Sequence, residues 1–132
     1  MPYTMDVHSD DSFADTVDST IVALEAEGFG VLCDIDVRAT FEEKLGEQFR
    51  RYRILGACNP ELAHEGLSEE PTLGALLPCN VIVYETDEGD VAVSAVDPER
   101  LLDVASNPAL DAIASDVRER FERVLAAVEG RD

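Results

Sequence analysis

The 132 residues suit one compact domain, residues 1–132, and leave little room for two. Apolar residues make up 45% of the chain, enough to build a packed core and to exclude a disordered acidic tail. Ten Lys and Arg against 29 Asp and Glu leave a net charge of −19, which argues against nucleic acid or an anionic membrane as partner, since both need a basic surface.

The opening residues, Met1 to Asp6, carry neither a basic n-region nor an apolar h-region, and no apolar run reaches the length of a membrane span. The expectation is a cytoplasmic protein. Tyr3, Met5 and Val7 alternate with Thr4, Asp6 and His8 and predict a half-buried first strand. Ser12 with Asp15 resembles a capping box, Phe13, Val17, Ile21 and Leu24 share one helical face, and Gly28 suits a C′ stop. From Phe29 the period is two. Val31, Cys33, Ile35 and Val37 fall opposite Asp34, Asp36 and Arg38, which predicts a second strand wet on one side. Thr40 with Glu43 repeats the capping pattern and predicts a short helix ending near Gly46, followed by a third strand from Tyr52 to Ala57.

Three places share one helix-start signal, a capping Asn or Asp followed by proline: Asn59-Pro60, Asp97-Pro98 and Asn107-Pro108. The first opens a short helix over Glu61 to Leu67. Asn80 to Glu85 and Val91 to Val96 flank a turn at Thr86 to Asp90 and predict a hairpin. Leu110, Ile113, Ala114, Val117, Phe121, Val124, Leu125 and Val128 follow helical spacing to the end of the chain. Its outer face offers Asp116 with Arg120 and Glu119 with Arg123 as i, i+4 pairs.

The order predicts an α+β two-layer sandwich: a mostly antiparallel sheet, helices on one face, and short extra helices between strands. The hairpin strands are apolar on both faces, so something should cover the second face. A second copy, giving a homodimer, is the economical candidate.

The acidic residues are dispersed, and Lys44 is the single lysine among the basic residues. That composition looks like the proteins of salt-in halophiles, where concentrated salt screens self-repulsion. The alternative is an acidic surface for a basic partner or for multivalent cations. Lys44 is either a survivor of that composition or a point charge kept beside a ligand.

Cys33, Cys58 and Cys79 form no C-x-x-C, and neither His8 nor His64 stands in zinc-finger spacing with them, so no metal site is expected. Cys33 falls in the apolar phase of its strand and is expected in the core. Cys58 precedes Asn59-Pro60, where a strand hands over to a helix, and the helix dipole there favours thiolate. Cys79 occupies a matching Cys-Asn context, with Asn80, at a strand start. It is expected on the same side of the sheet as Cys58, close enough to share a ligand. No phosphate loop, dinucleotide fingerprint, nucleophile elbow or H-E-x-x-H occurs, so no cofactor is named.

The segments Tyr52-Arg53-Ile54-Leu55-Gly56-Ala57-Cys58-Asn59-Pro60 and Leu76-Leu77-Pro78-Cys79-Asn80-Val81-Ile82-Val83-Tyr84-Glu85 resemble the family catalogued as domain of unknown function 302. The Phe41-to-Gly46 segment with Lys44, the Leu62-Ala63 helix and the Val93-to-Pro98 stretch resemble it too. The resemblance spans nearly the whole chain. It implies a small TATA-box-binding-protein-like fold, β-α-β4-α, and homodimers; it brings no activity. Fold likeness to a DNA-binding protein does not carry DNA binding to a chain of this charge.

Three functions compete. The first is a small-ligand-binding or redox-linked module with Cys58, Asn59, Cys79, Asn80, Lys44 and Arg53 as ligand-binding residues. The second is a dimeric interaction protein whose cysteines only pack. The third is an enzyme with Cys58 as nucleophile.

Overall fold

Period-two alternation gives five strands and period-3.6 stripes give five helices in the computed structural model, which describes residues 2–130. Strand β1 (Thr4–Ser9) leads into α1 (Phe13–Ala26), β2 (Gly30–Asp36) and α2 (Val37–Leu45). Strand β3 (Tyr52–Cys58), α3 (Pro60–Glu69) and a 3-10 turn (Pro71–Leu76) precede the hairpin of β4 (Cys79–Glu85) and β5 (Val91–Val96). Helix α4 (Pro98–Asp103), a second 3-10 turn (Pro108–Leu110) and α5 (Asp111–Val128) complete the chain. The strands form one antiparallel sheet in the order β1-β5-β4-β3-β2. Helix α1 therefore carries the chain from one edge strand to the other. The mixed α+β architecture is the one expected.

The helical start signals act as their chemistry requires. Ser12 accepts from the Asp15 amide, Asn59 from Leu62, Asp97 from Glu99 and Asn107 from Ala109. Gly28 takes the left-handed φ of 86° that ends α1. Seven residues of the α5 stripe, from Ile113 to Val128, are buried. They close on Leu24, Leu55, Val81, Val83 and Val93, and Phe29 and Phe121 pack with ring centroids 4.9 Å apart. This core lies between the sheet and the layer of α1, α3, α4 and α5.

Four expectations are corrected. Cys33 is exposed, not in the core. A β-bulge between Val31 and Cys33 shifts the register, so Val31 pairs with Ala57 while Cys33 pairs with Gly56. The extra residue turns Cys33 and Ile35 onto the face opposite Val31. Val37 is the first residue of α2 rather than the end of a strand. The cap of α2 is Asp36, whose side chain accepts from the Ala39 amide, and not Thr40, whose hydroxyl donates to the Asp36 carbonyl at 2.8 Å. Arg123 pairs with Glu27 at the end of α1 instead of with Glu119, while Asp116 and Arg120 pair as expected. A partner fixed by packing displaces the one available within the helix.

The second face of the sheet is partly covered by the chain itself. Val37, Thr40 and Phe41 of α2 line a cleft with Ile35, Tyr52 and Ile54, and these strand residues have the opposite phase to buried Leu55. A chain of aromatic contacts runs from Phe41 through Phe49 and Tyr52 to Tyr84, with centroid separations of 5.1, 6.2 and 5.5 Å. On β5 the residues of this phase, Ala92 and Ser94, are only 2% and 4% exposed within one chain. Among the described residues no helix is long and apolar enough to cross a membrane.

Candidate functional site

The β3–α3 junction and the start of β4 build one cleft. Strand β3 ends at Cys58, and Asn59 stops the strand by turning its side chain onto the α3 amides, accepting from Leu62 at 3.2 Å. Pro60 occupies the first helical turn, where its missing N–H costs nothing. Across the ladder Ala57 pairs with Cys79, which follows a cis Leu77–Pro78 peptide. Cys58, Asn59 and Cys79 thereby border the same cleft.

The walls are apolar. Phe29, Leu62, Leu73, Leu77, Ile113 and Val117 surround a space of about 40 Å³. A water needs only ~15 Å³, so the cleft has room for a few atoms. Leu73 is 3% exposed and presses towards Gly66, where a Cβ would lie 2.8 Å from a Leu73 methyl. Gly66 thus lets α3 close down on the 3-10 turn. Gly28 does the same for α1: a Cβ there would stand 3.0 Å from the Asn59 amide nitrogen.

The two thiols differ. Cys79 is 7% exposed, whereas Cys58 is half-buried. Burial first, and the neighbouring Cys58 second, push the Cys79 thiol up to about 11 from 9.0. Cys79 is therefore a neutral thiol at physiological pH. No disulfide joins any of the three cysteines.

The other expected ligand residues lie elsewhere. Asn80 is exposed on the opposite strand phase, where it pairs with Gly56. Lys44 is exposed in the last turn of α2. Arg53 is held in a forked ion pair by Asp34, which, ahead of the local carboxylates, raises its pKa. His64 is exposed and does not border the cleft. Among the described residues no group of three or more His, Cys, Asp and Glu side chains could hold a metal ion. The apolar walls were not predicted as site residues. Their signal in the sequence is the 113, 117 stripe of α5 and the Leu62-Ala63 pair of α3, which reads equally well as core.

Comparison with known proteins agrees with this architecture. The crystal structure of the uncharacterized conserved protein DUF302 from Bacillus stearothermophilus is similar at a TM-score of 0.91 and 30% sequence identity, over 98% of this chain and 100% of that one. No curated protein matches the chain. Residues 5–128 match the family described as domain of unknown function DUF302, and the chain belongs to that family.

Proposed function

We propose that this protein is a small-ligand-binding module whose site is the cleft bordered by Cys58, Asn59 and Cys79. The observation that supports this reading is that Cys58 and Cys79, from adjacent strands, both line one apolar, partly open cleft. The cleft takes the apolar end of a ligand, with the Cys58 thiol and the Asn59 amide at its mouth as polar contacts. A neutral, buried Cys79 favours ligand capture over thiol exchange, which needs a thiolate. The enzyme reading is weaker because the lining offers Cys58 no carboxylate or imidazole as general base. A reducing compartment such as the cytoplasm suits three unbonded thiols.

Xenon, apolar and atom-sized, is the simplest probe. Under xenon pressure, amide shifts should move at Ala57, Asn59 and Ala63, and Ala63→Phe should abolish the response. Unchanged shifts at these residues would show that the cleft takes no ligand.

A homodimer is the second reading, favoured by Leu32 and Leu45, which are 68% and 67% exposed at the β2 edge and the end of α2. A second copy seated on these exposed leucines would take them out of water. Light scattering in high salt should give twice the chain mass; a monomer across micromolar concentrations contradicts it.

A further inference from the structure

All three tyrosines of the chain line one cleft of about 380 Å³ on the open face of the sheet, distinct from the cleft bordered by Cys58 and Cys79. Tyr52 and Tyr84 stack across β3 and β4, Tyr3 stands just before β1, and Phe49 adds a fourth ring. Two opposite charges complete the lining, Asp6 on β1 and Arg50 ahead of β3. Asp6 pairs with Ser94, and Ser94 with Ile82, so its carboxylate belongs to the same sheet face as the Tyr52–Tyr84 stack.

Neither charge has a buried partner among the described residues. Asp6 has no ion pair among the described residues, and its one side-chain hydrogen bond comes from the Thr4 hydroxyl at 3.3 Å. Arg50 donates to the Glu85 carbonyl at 3.1 Å and meets Asp87 at 2.6 Å; both contacts are exposed, Asp87 being 82% exposed, and such surface pairs give way readily. The guanidinium also stands 6.0 Å from the Phe49 ring centre. This aromatic wall already accepts a cation on its π-face.

We propose that this cleft binds a small zwitterion, an ammonium carboxylate whose cationic end carries apolar substituents. Aromatic faces and the Asp6 carboxylate favour an alkylated ammonium, whose methyl groups also bury against Ile82. The net charge of −19 draws cations towards the surface. Arg50 provides the fork that a carboxylate matches. A simple cation is opposed by Arg50, and a simple anion by Asp6 and the overall charge. A zwitterion satisfies both ends.

The chain contains no tryptophan, so its intrinsic emission reports the three tyrosines and hence this cleft. Three probes separate the charges: trimethylglycine, its uncharged-headed isostere tert-butylacetate, and tetramethylammonium. Trimethylglycine should change the emission saturably, and each single-charge probe should bind ~tenfold more weakly. Asp6→Asn, at an exposed position, should weaken trimethylglycine ~tenfold with an unchanged melting curve. Arg50→Gln should weaken trimethylglycine but not tetramethylammonium. Three outcomes overturn the proposal: no saturable change, equal response to all three probes, or an emission change that follows dimerisation by light scattering. The last would place a second copy in the cleft.

Discussion

The sulfur of Cys33 lies directly over Gly56, so close that a Cβ on Gly56 would stand 2.5 Å from it and 2.8 Å from the Pro78 ring. The glycine is where the bulged edge strand β2 and the segment leading into β4 converge over β3. Gly56→Ala should therefore cost about 1–3 kcal/mol through overpacking. In Cys33→Ala/Gly56→Ala the loss should shrink without vanishing, because Pro78 remains. Urea unfolding of the double-mutant cycle checks this; additive effects contradict it.

Thiol labelling should follow the structure rather than strand phase. Limiting iodoacetamide should modify Cys33 and Cys58 in the native protein and leave Cys79 unmodified until unfolding. Mass mapping of the alkylated peptides reads the order. Early modification of Cys79 would contradict its burial.

Alkaline pH should destabilise the fold through Cys79. Its thiol ionises near 9.0 when unfolded and near 11 when folded, because burial and then Cys58 oppose the charged form. Between these values the unfolded chain has released a proton that the native state retains, so stability falls as pH rises. The contribution is complete below 9.0 and is lost by about 11, and its size is on the order of 2–3 kcal/mol. Urea midpoints of the wild type and Cys79→Ala should converge or cross over this window. A constant gap contradicts the assignment.

Salt should stabilise the protein. A net charge of −19 spread over the whole chain repels itself in the folded state, and molar KCl shortens the Debye length to about 3 Å. The melting temperature should rise between dilute buffer and molar KCl. An unchanged value would separate the composition from any salt adaptation.

Local signals were legible because their chemistry is local. Asn59, Asp97 and Asn107 cap their helices from the side chain of one residue onto an amide two or three away. The α5 stripe was legible for the same reason. The bulge at Leu32 was not, since alternation continues through Cys33 and Ile35 and only pairing with β3 reverses their face. Glu27 as partner of Arg123 depends on the α1–α5 packing, across a separation in sequence of 96 residues. For the proposed site, the matching Cys-Asn contexts pointed to the end of β3 and the start of β4, which border one cleft. They could not separate Cys79, which faces the cleft, from Asn80, which faces away.

The most direct test of the central reading is whether Cys58 and Cys79 share one space. Dibromobimane becomes fluorescent when a single reagent links two thiols. At mildly alkaline pH the more exposed Cys58 should take the reagent first, and the tethered second bromide then meets Cys79 at an effective concentration that limiting iodoacetamide in free solution lacks, so the native protein should yield a fluorescent Cys58–Cys79 adduct. Cys33→Ser should leave it intact, and either Cys58→Ser or Cys79→Ser should abolish it. A signal that requires Cys33, or one that arises only in urea, would contradict a shared site for Cys58 and Cys79.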